Sequence, residues 1–307
     1  MVTFIARRIV LSIPLLWSVL TLTFFGFRYL VPGDPVDIML FGRGTAADKL
    51  RLRHELGYDQ PILTQYWDFV RNAAHLDFGN SVYSHDTVFH EIAARFPTTF
   101  KLAAGALLVA TIFGFAGGIL SAILNRSPAG TAITTFAVFG FSIPEFVLGT
   151  ITGLIFGVQL HLLPVAGEGG LQYWILPCGC LALGIAASLI RLVRATMLEA
   201  LEQDYVRTAR AKGVRYPVVL VKHVLRNALI PVITLFGLSV AGLLSGAVII
   251  ENVFALQGLG TLTLKAVSQR DFPVVEGTTF MFAVVLIAAN LLVDVTYAFI
   301  DPRIHYS

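Results

Sequence analysis

Asp204-Tyr205-Val206-Arg207-Thr208-Ala209-Arg210-Ala211-Lys212-Gly213 is a charged run closed by glycine in a chain that is otherwise a succession of apolar segments. A membrane protein keeps such a run only where water or a partner meets it. From Arg191 to Arg226 there are eight Lys and Arg residues against three Asp and Glu, a net charge of +5. That excess marks the loop 199–226 as cytoplasmic and as a docking surface. Locally the run reads as one short helix, with Leu198, Leu201, Tyr205 and Thr208 or Ala209 on one side and the charges opposite. Gly213 is placed to end it in the left-handed conformation.

Outward from this island the chain is greasy throughout. Of 307 residues 56% are hydrophobic and 13% charged, with a net charge of +3, and the mean hydropathy is +0.77. This is an all-α integral membrane protein. Its basic residues gather at segment ends, so nucleic-acid binding is excluded as the reason for the charge. A hydrocarbon core of about 30 Å needs about 20 residues of helix, and six stretches qualify: Ile9 to Val31, Pro97 to Leu124, Thr131 to Val158, Tyr173 to Leu198, Asn227 to Val253 and Val274 to Ile300. Arg7-Arg8 immediately before the first predicts a cytoplasmic N-terminus, and an even number of spans returns the C-terminus to the same side. The first span has no small-residue cleavage pattern and reads as a retained helix, 1–31.

Residues 32–96 form an extracytoplasmic subdomain with Pro and Gly punctuation. The periodicity predicts helices over Ala46 to Leu56 and Pro61 to His75, ended by Gly57 and Gly79. Residues 97–300 form a core of five further spans, and 301–307 a cytoplasmic tail. Within the core, Ala106, Ala110, Gly114 and Gly118, and again Gly237, Ala241 and Ser245 with Gly242 and Gly246 beside them, are small-residue stripes that let helices approach closely, in a bundle or at a dimer seam. Pro144 removes a helical hydrogen bond in mid-span and predicts a kink or interruption of the third span.

Ionisable residues at membrane depth are each a site hypothesis. Glu145, after that proline, is the best charge for a pathway lining; the other reading places it near an interface or against a neighbouring subunit. Asp294 is expected to pair with Arg191 or Arg194, whereas Arg28 and Glu251 are expected to snorkel to water at outer ends. Cys178 and Cys180 suit small buried core positions. The external His75, His85 and His90 are irregularly spaced and read as solvated rather than metal-ligating. No catalytic or metal site is expected. His90-Glu91 begins like a zinc-protease helix without the second histidine, and there is no Gly-x-Ser-x-Gly elbow, which leaves an intramembrane enzyme or a passive channel as remote alternatives.

Arg207-Thr208-Ala209 followed by Gly213, and then Leu225-Arg226-Asn227-Ala228-Leu229-Ile230-Pro231, resembles the cytoplasmic loop signature of ABC importer permeases, in their dipeptide, oligopeptide and nickel branch. The resemblance runs along essentially the whole chain, through Pro32-Gly33-Asp34-Pro35, Leu56-Gly57-Tyr58-Asp59-Gln60-Pro61, Ser142-Ile143-Pro144, Leu163-Pro164, Arg270-Asp271-Phe272-Pro273 and Asp301-Pro302-Arg303-Ile304. Two departures stand out. Arg207-Thr208-Ala209 replaces the broader Glu-Ala-Ala, and Ala255-Leu256-Gln257 replaces an aromatic residue and proline before Gly258-Leu259-Gly260, so the external loop is expected to differ in shape.

The resemblance implies the type I importer permease fold and a bacterial inner-membrane location. It makes Asp204 to Gly213 the coupling helix that docks on a separate ATPase. It further implies a homologous second permease subunit, two ATP-binding-cassette ATPase subunits and an extracytoplasmic substrate-binding protein, with lipid around the spans. The chain has no Gly-x-x-x-x-Gly-Lys-Ser/Thr phosphate loop, so ATP and magnesium belong to the ATPases and no cofactor is expected on this subunit. The implied cargo is a dipeptide or oligopeptide; import of nickel or a metal chelate is the alternative.

Overall fold

The computed structural model describes residues 2–30, 36, 40, 45–55, 57–225, 228, 232, 239, 242–243 and 246–300. Among these the structure is helical, with a single β-bridge between Asn80 and Thr87. The helices are α1 (Val2–Leu30), α2 (Ala46–Glu55), α3 (Ile62–Ala74), α4 (Val88–Ile123), α5 (Pro128–Ser142), α6 (Glu145–Thr152), α7 (Gln172–Glu202), α8 (Asp204–Ala211), α9 (Leu259–Gln269) and α10 (Phe272–Ile300). Two π-helical stretches, Gly153–Gln159 and Val219–Leu225, follow α6 and a short turn, Tyr216–Val218.

Among the described residues four helices are long and apolar enough to cross a membrane: α1, α4, α7 and α10. The pair α5 and α6 with its π-helical continuation, bent by 102°, makes a fifth if it is one span. Most of the predicted span from Asn227 to Val253 lies outside the described residues, as do Pro32 to Pro35, residues 237, 241 and 245 of the second small-residue stripe, and the tail 301–307. The second predicted span starts earlier than expected. α4 runs through Pro97 back to Val88, beginning with an i, i+4 ion pair of 2.8 Å between Glu91 and Arg95.

One compact unit comprises Thr98–Gln257 and the part of α10 from Ala288. Its centre is the seam between α4 and α7. A Cβ on Gly114 would stand 2.6 Å from the Leu189 Cβ, and one on Gly118 2.6 Å from the Val193 Cβ. The first small-residue stripe thus serves an intrachain contact, its Ala106 and Ala110 fully buried. Cys178 and Cys180 are buried and free; the Cys178 sulfur occupies the space a side chain at Gly105 would need. α5 packs along α7 through Ala137, Ala187 and Ile190.

The other unit comprises Val2–Pro97 and Gly258–Ile287. α2 opens on a Thr45-x-x-Asp48 capping box: the Thr45 N–H (2.9 Å) and hydroxyl (2.6 Å) donate to Asp48, holding its carboxyl below the ordinary value. Gly57, φ +68, turns the chain after α2 as predicted. Gly79 does not end α3. His75 caps that helix, Leu76 takes the left-handed conformation (φ 60), and Gly79 instead turns the following loop with its N–H on Asp77. An aromatic cluster of Phe24, Phe25, Tyr66 and Phe69 joins α1 to α3, with Thr21 and Tyr66 hydroxyls 2.7 Å apart. Phe280 of α10 packs with Leu20 and Ala73, and Ser81 donates to the buried Asp271 at 2.6 Å.

Candidate functional site

α8 is set off from α7 by one extended residue, Gln203 (ψ 149), which ends one helix and starts the next. Val206 and Ala209 are its buried residues, packed with Met197 and Ala200 of α7 and Val219 and Val224 of the π-helical stretch. The predicted inward Tyr205 is 38% exposed. The reason is the break at Gln203: α8 does not continue the helical phase of α7, so the stripe through Leu198 and Leu201 does not carry on to Tyr205. Asp204, Tyr205, Arg207, Thr208, Arg210, Ala211, Lys212 and Gly213 all lie on the surface. Asp204 and Arg207, 3.8 Å apart and both open to solvent, form a weak pair. Asp204 also sits where a negative charge favours a helix start.

The end of α8 is a Schellman cap. The Gly213 N–H donates to the Arg210 carbonyl (2.9 Å) and the Val214 N–H to the Ala209 carbonyl (3.2 Å), with Gly213 at φ +76. Arg210 lies over the Tyr216 ring, 5.0 Å from its centre. The result is a short helix with a small apolar underside fixed to the bundle and a cationic outer face free for a partner.

At the third predicted span the break is complete. α5 ends at Ser142, Ile143 is extended and Pro144 (φ −59, ψ 137) starts α6. Glu145 is half-buried and has no hydrogen-bond partner among the described residues; its carboxylate fills the space that a side chain at Gly246 would need. Gly149 and Thr152 hold α6 in place, the former against Ile250, Val253 and Phe254, the latter through a 3.2 Å contact to the Cys180 sulfur. Pro144 and Glu145 are therefore adjacent to one another but belong to a different place from α8.

Other ionisable groups depart from expectation. Glu251 does not snorkel: it has no exposed surface and accepts from the Thr99 hydroxyl at 2.5 Å. Arg28 is held by Gln65 and the Tyr58 ring instead of extending to water. Arg194 donates to Thr134 and Asn125, both at 2.6 Å, and Arg191 lies over Phe141, so neither makes the expected pair with Asp294. Glu276, which sequence reasoning passed over, lines a cavity of about 750 Å³ with Arg28, Tyr58, Gln65 and Asn72. Its signal was an acid inside the last apolar run. His75, His85 and His90 are exposed, and among the described residues no three His, Cys, Asp or Glu side chains gather in a way that could hold a metal ion.

The model of a family described as binding-protein-dependent transport system inner membrane component matches residues 114–306, and one for the N-terminal part of such components matches residues 1–103. The glutathione transport system permease protein GsiC of Escherichia coli strain K12 is similar over the full length of both chains, 41% identical over 307 residues. Its namesakes in Shigella flexneri serotype 5b (41% over 307 residues) and Pectobacterium atrosepticum (41% over 306) also cover the whole chain and are themselves covered whole.

Proposed function

The chain belongs to the family of binding-protein-dependent transport system inner membrane components, a permease subunit of an ABC importer and not an enzyme, and from that premise we propose that it forms half of a pathway for peptide-like solutes. In this reading the chain has six spans with both termini in the cytoplasm, residues 32–96 outside, and a second, homologous permease beside it. Two ATPase subunits carry ATP and magnesium, and an extracytoplasmic binding protein delivers the cargo. The peptide-like cargo follows the relatives named for glutathione transport. Pro144 and Glu145 line the pathway.

The observation that carries this reading is α8. A helix whose underside is anchored by Val206 and Ala209 while its cationic face stays open can pass a push from a docked partner into α7 and the stretch 219–225. A free surface helix has nothing to couple to. ATP-driven closure of two ATPases then moves the spans between inward-open and outward-open states. Asp204→Lys reverses the charge at the helix start, and Gly213→Asp replaces the glycine that the left-handed cap favours. Both variants are expected to insert in the membrane, yet to uncouple uptake from ATP hydrolysis in the reconstituted complex. Wild-type levels of substrate-stimulated ATPase activity and uptake in both would remove α8 from the coupling role.

A further inference from the structure

Arg191 is the one intramembrane cation of α7 that the reading above leaves without a task. It stands eleven residues before the end of α7 at Glu202, so its Cα lies about 16 Å in from that end. Helical side chains lean toward the N-terminus of their own helix, and this one does so fully: its guanidinium carbon is 4.6 Å from the centre of the Phe141 ring. Gly140, next to Phe141, faces Leu183, eight residues before Arg191 and about two turns deeper into the span. The charge is thus carried away from the nearer end of its helix. An arginine facing lipid reaches the other way, toward headgroups. Arg194, one turn on, reaches back to Asn125 in the connection between α4 and α5.

The surroundings of Arg191 are equally unsuited to lipid. Its side chain is exposed, and among the described residues no carboxylate lies within salt-bridge distance. Beside Phe141, α5 stops at Ser142, and the last carbonyls of a helix lack partners within it. Ile143 and Pro144 are exposed as well. Hydrocarbon satisfies neither open carbonyls nor a guanidinium, so this face meets water or protein.

We propose that Arg191 lines the translocation pathway and takes the carboxylate of a passing peptide-like solute, with Phe141 holding the guanidinium plane in position. A planar guanidinium offers paired N–H groups that match a carboxylate. The exposed cation supplies the complementary charge. This rests on the permease reading and adds to it a residue and the solute group that residue recognises.

Two measurements on the assembled complex in lipid test it. In the first, the Arg191→Cys variant is treated with a water-soluble thiosulfonate, the parent chain with its buried Cys178 and Cys180 serving as background. Labelling is expected, since the introduced thiol stands at an exposed position of α7. Absence of labelling, as when lipid or an acidic residue of the second permease closes the face, overturns the proposal. In the second, ATP-driven uptake of the free-acid tripeptide is expected to fall about tenfold or more in Arg191→Gln and by less in Arg191→Lys, which keeps the charge without the paired N–H groups. Equal losses of acid and amide in Arg191→Gln would reduce Arg191 to a structural role. A wild-type complex that imports no peptide strikes the cargo reading above instead, while the labelling still decides whether this face is open to water.

Discussion

Glu251 has no exposed surface, in a part of the chain where an unpaired charge costs several kcal/mol. The Thr99 hydroxyl, donating at 2.5 Å, is one of the groups that make its burial tolerable. Thr99→Val keeps the shape and removes the donor, and it is expected to lower stability by about 1–3 kcal/mol. Thr99→Ser restores the bond and most of the stability. Thermal unfolding of the detergent-solubilised chain, followed by tryptophan fluorescence, compares the three. At this scale the sequence was a partial guide. Both Glu251 and Arg28 could be recognised as ionisable residues near span ends, but not as held ones, since the groups that hold them come from α4 and from α3 with the turn before it.

Elements were more legible than individual contacts. Hydropathy placed the long apolar helices among the described residues, Gly213 the end of α8, and Pro144 the break between α5 and α6, because each of these acts over a few residues. The facing of α8 was not legible: Gln203 resets the helical phase, and no periodicity carries through an extended residue. The stripe in α4 was visible, while its partner was not. With α7 identified as that partner, the glycines of α4 and α7 divide into two kinds. Gly118→Ala sets a methyl against Val193 and is expected to destabilise by about 1–3 kcal/mol. Gly184→Ala meets nothing within 4 Å and is expected to be neutral or stabilising by up to about 1 kcal/mol through helix propensity. Denaturation of the two variants in mild detergent distinguishes a packed seam from a general intolerance of α-helical glycine replacement.

For the whole molecule, function depends on parts the chain does not carry. If the cargo is peptide-like, the complex reconstituted with its binding protein is expected to take up a labelled tripeptide on ATP addition and to leave radiolabelled nickel outside. ATP-dependent nickel uptake at a comparable rate would reverse that assignment. Membrane residence, the long apolar helices among the described residues, the broken third span and the importer family were legible in the sequence alone, since hydropathy, proline, glycine and short motifs act within a local window. Only the tertiary structure decided that Thr99 meets Glu251 across 152 residues, that Arg194 is bonded while Arg191 is turned inward over Phe141, and that the α4 stripe belongs to α7. Those outcomes depend on which helix faces touch, and side-chain periodicity along one helix carries no record of its neighbour.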